Sequence, residues 1–190
     1  WKGSYPFGFA VLLIPAVLAL LVLVVARITY PEPQNLEPTL KAIEIGALRP
    51  IFWLYLAATA CIAVGFTDYS LVAFHIKKAE VLRDKWIPLI YAGAMGVDAL
   101  SALLVGYLYD RKGLPVLLTV VVVSAWSAPL VFLSGSGGLI GGMALWGIGM
   151  GAQESIIRAI VANLVPTDRR ATGYGVFNAG FGLAWFVGSA

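Results

Sequence analysis

Long uninterrupted runs of apolar residues are the feature of this sequence that most restricts its fold. Each run has about twenty residues, and a helix of that length crosses the hydrocarbon core of a bilayer, which is about 30 Å thick. The runs are apolar on all sides, whereas the strands of an outer-membrane barrel alternate between apolar and polar residues. We therefore predict an all-α bundle of five transmembrane helices and the start of a sixth. The predicted spans are Phe7–Ile28, Ile51–Ile76, Trp86–Tyr109, Pro115–Leu133, Leu139–Val165 and Thr172–Ala190.

The composition excludes most soluble folds. Hydrophobic residues make up 60% of the 190 residues and charged residues only 12%, whereas about a quarter of the residues in a soluble domain are charged. The lipid bilayer is therefore the expected surrounding. The net charge is +3, and the basic residues form short clusters between the apolar runs, which does not indicate a nucleic-acid partner. The single cysteine cannot form an internal disulfide.

The chain divides into three parts by composition. Residues 1–28 contain the first predicted span, and residues 51–190 contain the others, which we expect to form one partial bundle. Residues 29–50 contain four prolines and charges of both signs, which predicts an exposed linker with a short amphipathic stretch at Leu40–Leu48. Because the chain starts with Trp1 instead of Met and stops within an apolar run, we interpret it as a piece of a longer protein.

Small residues recur at a spacing of four within the later runs. Gly147 and Gly151 are one such pair, and Gly138 and Gly142 are another. This spacing places both members of a pair on one face of a helix and is typical of transmembrane helices whose backbones approach closely. We therefore predict close contacts between helices at these glycines and, in the last run, at Gly180, Ala184 and Gly188, which continue the spacing.

A charged turn joins the third and fourth predicted spans. It reads Gly-Tyr-Leu-Tyr-Asp-Arg-Lys-Gly from Gly106 to Gly113. An acid at the C-terminal end of a helix is disfavoured by the helix dipole, so Asp110 needs a cation or the start of another helix as its partner. Gly113 permits a tight reversal of the chain. Gly106, Asp110, Arg111 and Gly113 are therefore candidate functional residues.

This turn resembles the G-x-L-x-D-[RK]-x-G loop of the major facilitator superfamily, which joins two spans on the cytoplasmic face and takes part in gating. A second stretch, from Gly149 to Gly175, is similar to the tenth span, the loop after it and the start of the eleventh span in bacterial members. The resemblance covers nearly the whole chain and implies spans six to eleven of a transporter, a truncated C-terminal half. The family's loop often continues with two basic residues, whereas Leu114 and Pro115 follow here.

Acidic residues within the predicted spans are candidate functional residues, because an ionisable side chain at membrane depth needs a partner or a task. Asp98 lies near the middle of its run, with Tyr91 and Ser101 on the same predicted helix face. It could take up and release a proton during transport, or it could be a protonated acid that hydrogen-bonds to a neighbouring helix. Asp68 shares a predicted face with Cys61, which we interpret as part of a polar stripe facing a cavity.

The fifth predicted span contains two opposite charges. Glu154 and Arg158 are four residues apart with the acid first, which is the favourable order for an ion pair within a helix. The pair could simply neutralise itself, or Arg158 could reach Asp110 and form a latch that breaks when an inner gate opens. Gln153 and Asn178 are candidate cavity-lining residues, although amide side chains also bridge helices.

No enzyme motif is present in the sequence. It has one histidine and one cysteine, and it lacks H-E-x-x-H, G-x-S-x-G and P-loop patterns. We therefore expect no catalytic residue, no metal site and no cofactor. The family resemblance implies secondary active transport of a small solute by alternating access, in a multi-pass protein of the bacterial plasma membrane whose partner is the rest of the same chain. Asp98 adds the hypothesis of proton coupling. The alternative is a membrane sensor or assembly protein that has kept the fold without transporting.

Overall fold

The structure, a computed structural model, describes residues 5–30 and 48–189. Most of these residues are helical, and no strand is found among them. The α-helices are α1 (Tyr5–Thr29), α2 (Pro50–Gly65), α3 (Tyr69–Lys78), α4 (Ile87–Lys112), α5 (Leu114–Ser124), α6 (Ser127–Leu133), α7 (Ser136–Ala152), α8 (Arg158–Leu164) and α9 (Arg170–Ser189). The predicted all-α bundle is confirmed. Helix α1 belongs to one unit of the chain and residues 48–189 to another. Most of the linker predicted at residues 29–50, with its amphipathic stretch, lies outside the described residues.

Four helical stretches within the described residues are long and apolar enough to cross a membrane. They are Ala10–Thr29, Pro50–Lys78, Asp84–Lys112 and Leu114–Leu133. These stretches correspond to the first four predicted spans. The fifth and sixth predicted spans are also helical, in α7 to α8 and in α9. They are rich in glycine, which lowers their hydropathy, and they are not among the four.

The second predicted span is interrupted by a break between α2 and α3. Helix α2 ends at Gly65, and Asp68 caps the start of α3 by accepting a hydrogen bond from the backbone N–H of Ser70, at 3.1 Å. The indole N–H of Trp146 donates to the carbonyl of Thr67 at 2.7 Å, which satisfies a backbone acceptor that the break leaves free. Because of this break, Asp68 does not share a helix face with Cys61, and that prediction is wrong.

Helix α7 is central in the unit formed by residues 48–189. It packs against α4, α5 and α6, while α2 packs against α9. The contact with α4 is close because α7 presents glycines to it: a Cβ atom added at Gly147 would lie 2.5 Å from the carbonyl oxygen of Ala94, and one added at Gly151 would lie 2.5 Å from that of Asp98. The predicted close packing at these two glycines is confirmed. This packing brings the backbone of α7 directly against the part of α4 that carries Asp98.

Candidate functional site

A π-helical segment, Gln153–Ile157, joins α7 to α8. In a π-helix each backbone N–H bonds to the carbonyl five residues earlier, and such single turns within α-helices occur frequently at functional sites. Gln153 and Glu154, two of the predicted site residues, lie in this segment. The irregular turn therefore positions the polar side chains of this predicted span.

A cavity of about 80 Å³ lies between the π-helical segment and α9. One acid, one base, two amides and three aromatic side chains contribute to its wall, together with two apolar residues. The lining residues are Met150, Gln153, Glu154, Ile157, Arg158, Phe177, Asn178, Phe181 and Trp185. We call this the π cavity. Four predicted site residues, from the π-helical segment, α8 and α9, thus line one space, and they offer both hydrogen bonds and charge to a solute.

Gln153 has a buried acceptor that faces no donor. Its side chain is only 7% exposed, and among the described residues its Oε1 atom is buried without a hydrogen-bond partner. Leaving such an atom unpaired costs about 1–3 kcal/mol, so an unpaired buried acceptor is a natural place for a ligand to donate a hydrogen bond. Because Gln153 also lines the π cavity, its amide group is a candidate for binding a solute there.

Two tyrosines hold the backbone at the end of the π-helical segment. The hydroxyl of Tyr55 on α2 donates to the carbonyl of Ile157 at 3.0 Å, and the hydroxyl of Tyr174 on α9 donates to the carbonyl of Arg158 at 3.0 Å. These bonds tie the segment to both neighbouring helices. The sequence analysis missed both tyrosines, although a tyrosine inside an apolar run signals that its hydroxyl needs a partner.

Glu154 and Arg158 line the π cavity together but do not form the predicted ion pair. Within the part of the chain that the structure describes, the one ion pair joins Arg169 to the adjacent Asp168, with 3.8 Å between Nε and Oδ2. The prediction assumed the contact between residues four apart in an α-helix, and the π-helical turn replaces that geometry. Among the described residues, neither charge is therefore neutralised by an ion pair.

Asp98 lies on α4, where this helix crosses α7. Its Oδ1 atom is buried and, like the amide oxygen described above, has no hydrogen-bond partner among the described residues. Ser101, one turn further along, is buried and donates to the carbonyl of Ile148 on α7 at 3.1 Å. The π-helical segment that carries Glu154 also packs against α4. Asp98 and Ser101 are thus brought together at the α4–α7 contact.

Tyr91 and Asp68 lie away from this contact. Tyr91 is 40% exposed, and its ring lies 4.3 Å, centroid to centroid, from the ring of Tyr69 on α3. Asp68 accepts a bond from Ser70 as the cap of α3 and does not line the π cavity. The structure therefore places Asp98 close to Ser101, and Gln153 in one cavity with Asn178. It separates Tyr91 and Asp68 from both pairs.

The charged turn from Gly106 to Gly113 ends α4 and leads into α5. Gly113 has φ +72° and ψ −151°, which L side chains rarely adopt. Asp110 and Arg111 are exposed, and the guanidinium of Arg111 lies 4.4 Å from the centroid of the Tyr107 ring. The predicted latch between Asp110 and Arg158 is not formed in this conformation, since neither residue takes part in an ion pair within the described residues.

The chemistry that this arrangement offers is recognition by charge and hydrogen bonds. Within residues 5–30 and 48–189, no three His, Cys, Asp or Glu side chains are grouped so that they could hold a metal ion. The π cavity supplies one positive and one negative side chain, and the α4–α7 contact supplies a separate carboxyl group. These groups can bind a polar solute and hold a proton.

The comparisons with known proteins identify the family. The family model described as "Major Facilitator Superfamily" matches residues 2–189. Three relatives, each named only as an uncharacterized protein, come from Mycobacterium bovis and from two strains of Mycobacterium tuberculosis. Each is 37% identical over 194 residues, which cover 99% of this chain and 47% of the relative. The chain therefore spans about half the length of the curated relatives it matches. No solved structure gives a significant match. Since the family model covers almost all of the chain, the chain belongs to the major facilitator superfamily.

Proposed function

We propose that this chain is part of a secondary active transporter that moves a small solute by alternating access and couples the movement to protons. The family consists of membrane transporters and not of enzymes. The rest of the same polypeptide would supply the other helices of the transport path, and the lipid bilayer would surround it. Because the relatives are mycobacterial, we place the protein in a bacterial plasma membrane.

The observation that carries the coupling proposal is the unpartnered Oδ1 atom of Asp98. An ionised carboxylate at membrane depth needs a cation, water or hydrogen-bond donors, because its charge is otherwise costly. A protonated carboxyl group carries no charge and can stay at this depth. When the transport path opens toward water on one side, Asp98 can release its proton there. A carboxyl group in this position can therefore alternate between two states as the protein alternates between two conformations.

The solute would bind in the π cavity, next to this proton site. Glu154 lines the cavity, and the π-helical segment that carries it packs against α4, the helix of Asp98. The two sites are therefore close enough for the charge state of one to influence binding at the other. Such linkage is what coupled transport requires, because the solute and the proton must each change the affinity for the other.

The experiment uses the complete gene product, with any sequence encoded on either side of residues 1–190, in liposomes that contain a pH-sensitive dye. A pH gradient is imposed, and D-glucose, succinate, L-lysine and L-leucine are added one at a time. We expect one class of solute to cause proton movement in the wild type. Asp98→Asn should abolish this proton movement while passive exchange of the same solute continues.

The matched control is Asp84→Asn. Asp84 is exposed and lies in a short 3₁₀ turn before α4, so it also loses a carboxylate but outside the proposed proton site. The control should behave as the wild type does. Wild-type proton movement in the Asp98→Asn protein would overturn the coupling proposal.

A further inference from the structure

We propose that the π cavity takes a zwitterionic solute of the amino-acid type, with an ammonium and a carboxylate close together on a small apolar frame. This inference deepens the proposed transport function and rests on it, since it names the class of solute to be carried. It is argued from three properties of the lining: the two opposite charges, the two amides and the aromatic wall.

The charges come first. Glu154 and Arg158 line the same small cavity, and neither has an ion-pair partner among the described residues. A solute with a single charge would neutralise one of these residues and leave the other unpaired next to the bound ligand. Both side chains are exposed at the rim of the cavity, and a charge-assisted hydrogen bond to either one is stronger than a neutral one. A zwitterion neutralises both: its ammonium faces Glu154 and its carboxylate faces Arg158.

The amides fit the same ligand. Gln153 lines the cavity, and its Oε1 atom, which has no partner among the described residues, can accept an N–H bond from the solute once the side chain turns toward it. An ammonium group has three N–H donors and can serve both this oxygen and the carboxylate of Glu154. Asn178, on the opposite wall, has an amide NH₂ that can donate to a carboxylate beside Arg158. Each polar group of the cavity then has a complementary group on the solute.

The third side of the cavity is aromatic. The rings of Phe177 and Phe181 lie 5.7 Å apart, and those of Phe181 and Trp185 lie 6.1 Å apart, centroid to centroid, so that they form a continuous surface along α9. This surface suits an apolar side chain on the solute. The cavity volume of about 80 Å³ is well below the range of roughly 300–1,000 Å³ that is usual for drug-sized ligands, which favours a small solute.

The first test is ligand binding to the complete gene product in detergent, measured by thermal unfolding at increasing ligand concentration. The zwitterions are L-alanine, L-leucine and L-phenylalanine. The last two are matched by analogues that lack one charge: isopentylamine and 2-phenylethylamine lack the carboxylate, and 4-methylpentanoate and 3-phenylpropanoate lack the ammonium. D-Glucose is the uncharged comparison. We expect at least one zwitterion to bind about 10-fold to 100-fold more tightly than its own analogues, as the loss of a hydrogen-bonded charge implies.

The second test removes the charges of Arg158 and Glu154 one at a time. In Arg158→Gln the preference for the zwitterion over its amine analogue should be lost, whereas in Glu154→Gln the preference over its acid analogue should be lost. If these residues had only a structural role, each substitution would weaken the binding of all ligands alike. It would not remove the preference over one analogue and leave the preference over the other. The controls are Arg83→Gln and Glu80→Gln, which remove the same charges from the exposed loop after α3. If the Arg158 and Glu154 variants fail to fold, the comparison of each zwitterion with its matched analogues in the wild-type protein still tests the inference.

The outcomes separate this inference from the proposed function, because binding in detergent requires no transport. If a zwitterion binds as expected but is not moved across liposomes, the transport proposal fails and the binding site stands. If the protein transports D-glucose or a singly charged solute and none of the three zwitterions binds more tightly than its analogues, the inference is overturned and transport stands. Absence of binding by all three zwitterions overturns it as well.

Discussion

Replacing Gly147 by alanine tests whether the bundle depends on direct contact between the backbones of α4 and α7. The added Cβ atom would lie 2.5 Å from the carbonyl oxygen of Ala94 and 3.2 Å from the backbone nitrogen of Asp98. Both neighbours are backbone atoms within a helix, so no side chain can rotate away. A carbon–oxygen contact needs about 3.3 Å or more, and the two helices must therefore move apart by about 0.8 Å.

The expected cost follows from that separation. A gap of 0.5–1 Å loses roughly a quarter to a half of the dispersion energy of each atom pair at the contact, and overfilling a close-packed interface typically costs about 1–3 kcal/mol. Alanine regains up to about 1 kcal/mol over glycine in a helix interior. We therefore expect Gly147→Ala to lower the free energy of unfolding by up to about 2 kcal/mol. The measurement is unfolding of the complete gene product in mixed micelles, titrated with SDS and followed by circular dichroism.

The control is Gly141→Ala, in the same helix. Gly141 is exposed, and a Cβ atom added there meets nothing within 4 Å, so this change should be neutral or stabilise the protein by up to about 1 kcal/mol. Gly151→Ala should behave as Gly147→Ala does, because its Cβ would lie 2.5 Å from the carbonyl oxygen of Asp98. Equal stability of the Gly147 and Gly141 variants would refute the argument that backbone contact holds α4 against α7.

Two further changes test local backbone predictions in the same titration. Gly113→Ala places a side chain at φ +72° and ψ −151°, a region that glycine occupies almost alone, and should cost about 1–3 kcal/mol; a loss below 0.5 kcal/mol would contradict this conformation of the turn. Asp68→Ala removes the acceptor for the N–H of Ser70 and should cost about 1 kcal/mol, whereas Asp68→Asn keeps the cap and should stay near the wild type. Equal losses in both Asp68 variants would argue against the capping role.

The helices were predictable from the sequence because lipid imposes a simple rule. A chain that crosses a bilayer must satisfy its own backbone hydrogen bonds, so a long apolar run is read as a helix with little ambiguity. The interruption between Gly65 and Tyr69 was not predicted, since average hydropathy does not register a break of three residues. Its local signal is Asp68, whose side chain caps the next helix. The prediction treated this acid as part of a continuous helix face and therefore gave it the wrong neighbours.

The candidate site was predictable in its residue types but not in its geometry. Gln153 and Asn178 are predicted to line a cavity or to bridge helices, and both line the π cavity. Two alternatives were left open for Arg158, an ion pair with Glu154 or a latch to Asp110, and neither contact is present among the described residues; the ion pair presupposed an α-helix. A π-helical turn has no clear sequence signature: it depends on tertiary contacts such as the bond from Tyr55 to the carbonyl of Ile157. Which aromatic side chains face the cavity likewise depends on the rotation of α9.

Asp98 Oδ1 and Gln153 Oε1, the two buried acceptors that lack a partner within residues 5–30 and 48–189, are connected through α7 and its π-helical continuation. Helix α7 touches Asp98 along its glycine face, and the π-helical segment that continues α7 presents Gln153 and Glu154 to the π cavity. Movement of α7 against α4 would therefore change the surroundings of the proton site and of the solute site together. In the proposed cycle, an ammonium group that neutralises Glu154 also changes the electric field at Asp98. Solute binding and proton exchange are then linked by charge as well as by backbone contact, and Glu154→Gln should weaken this linkage even where the solute still binds.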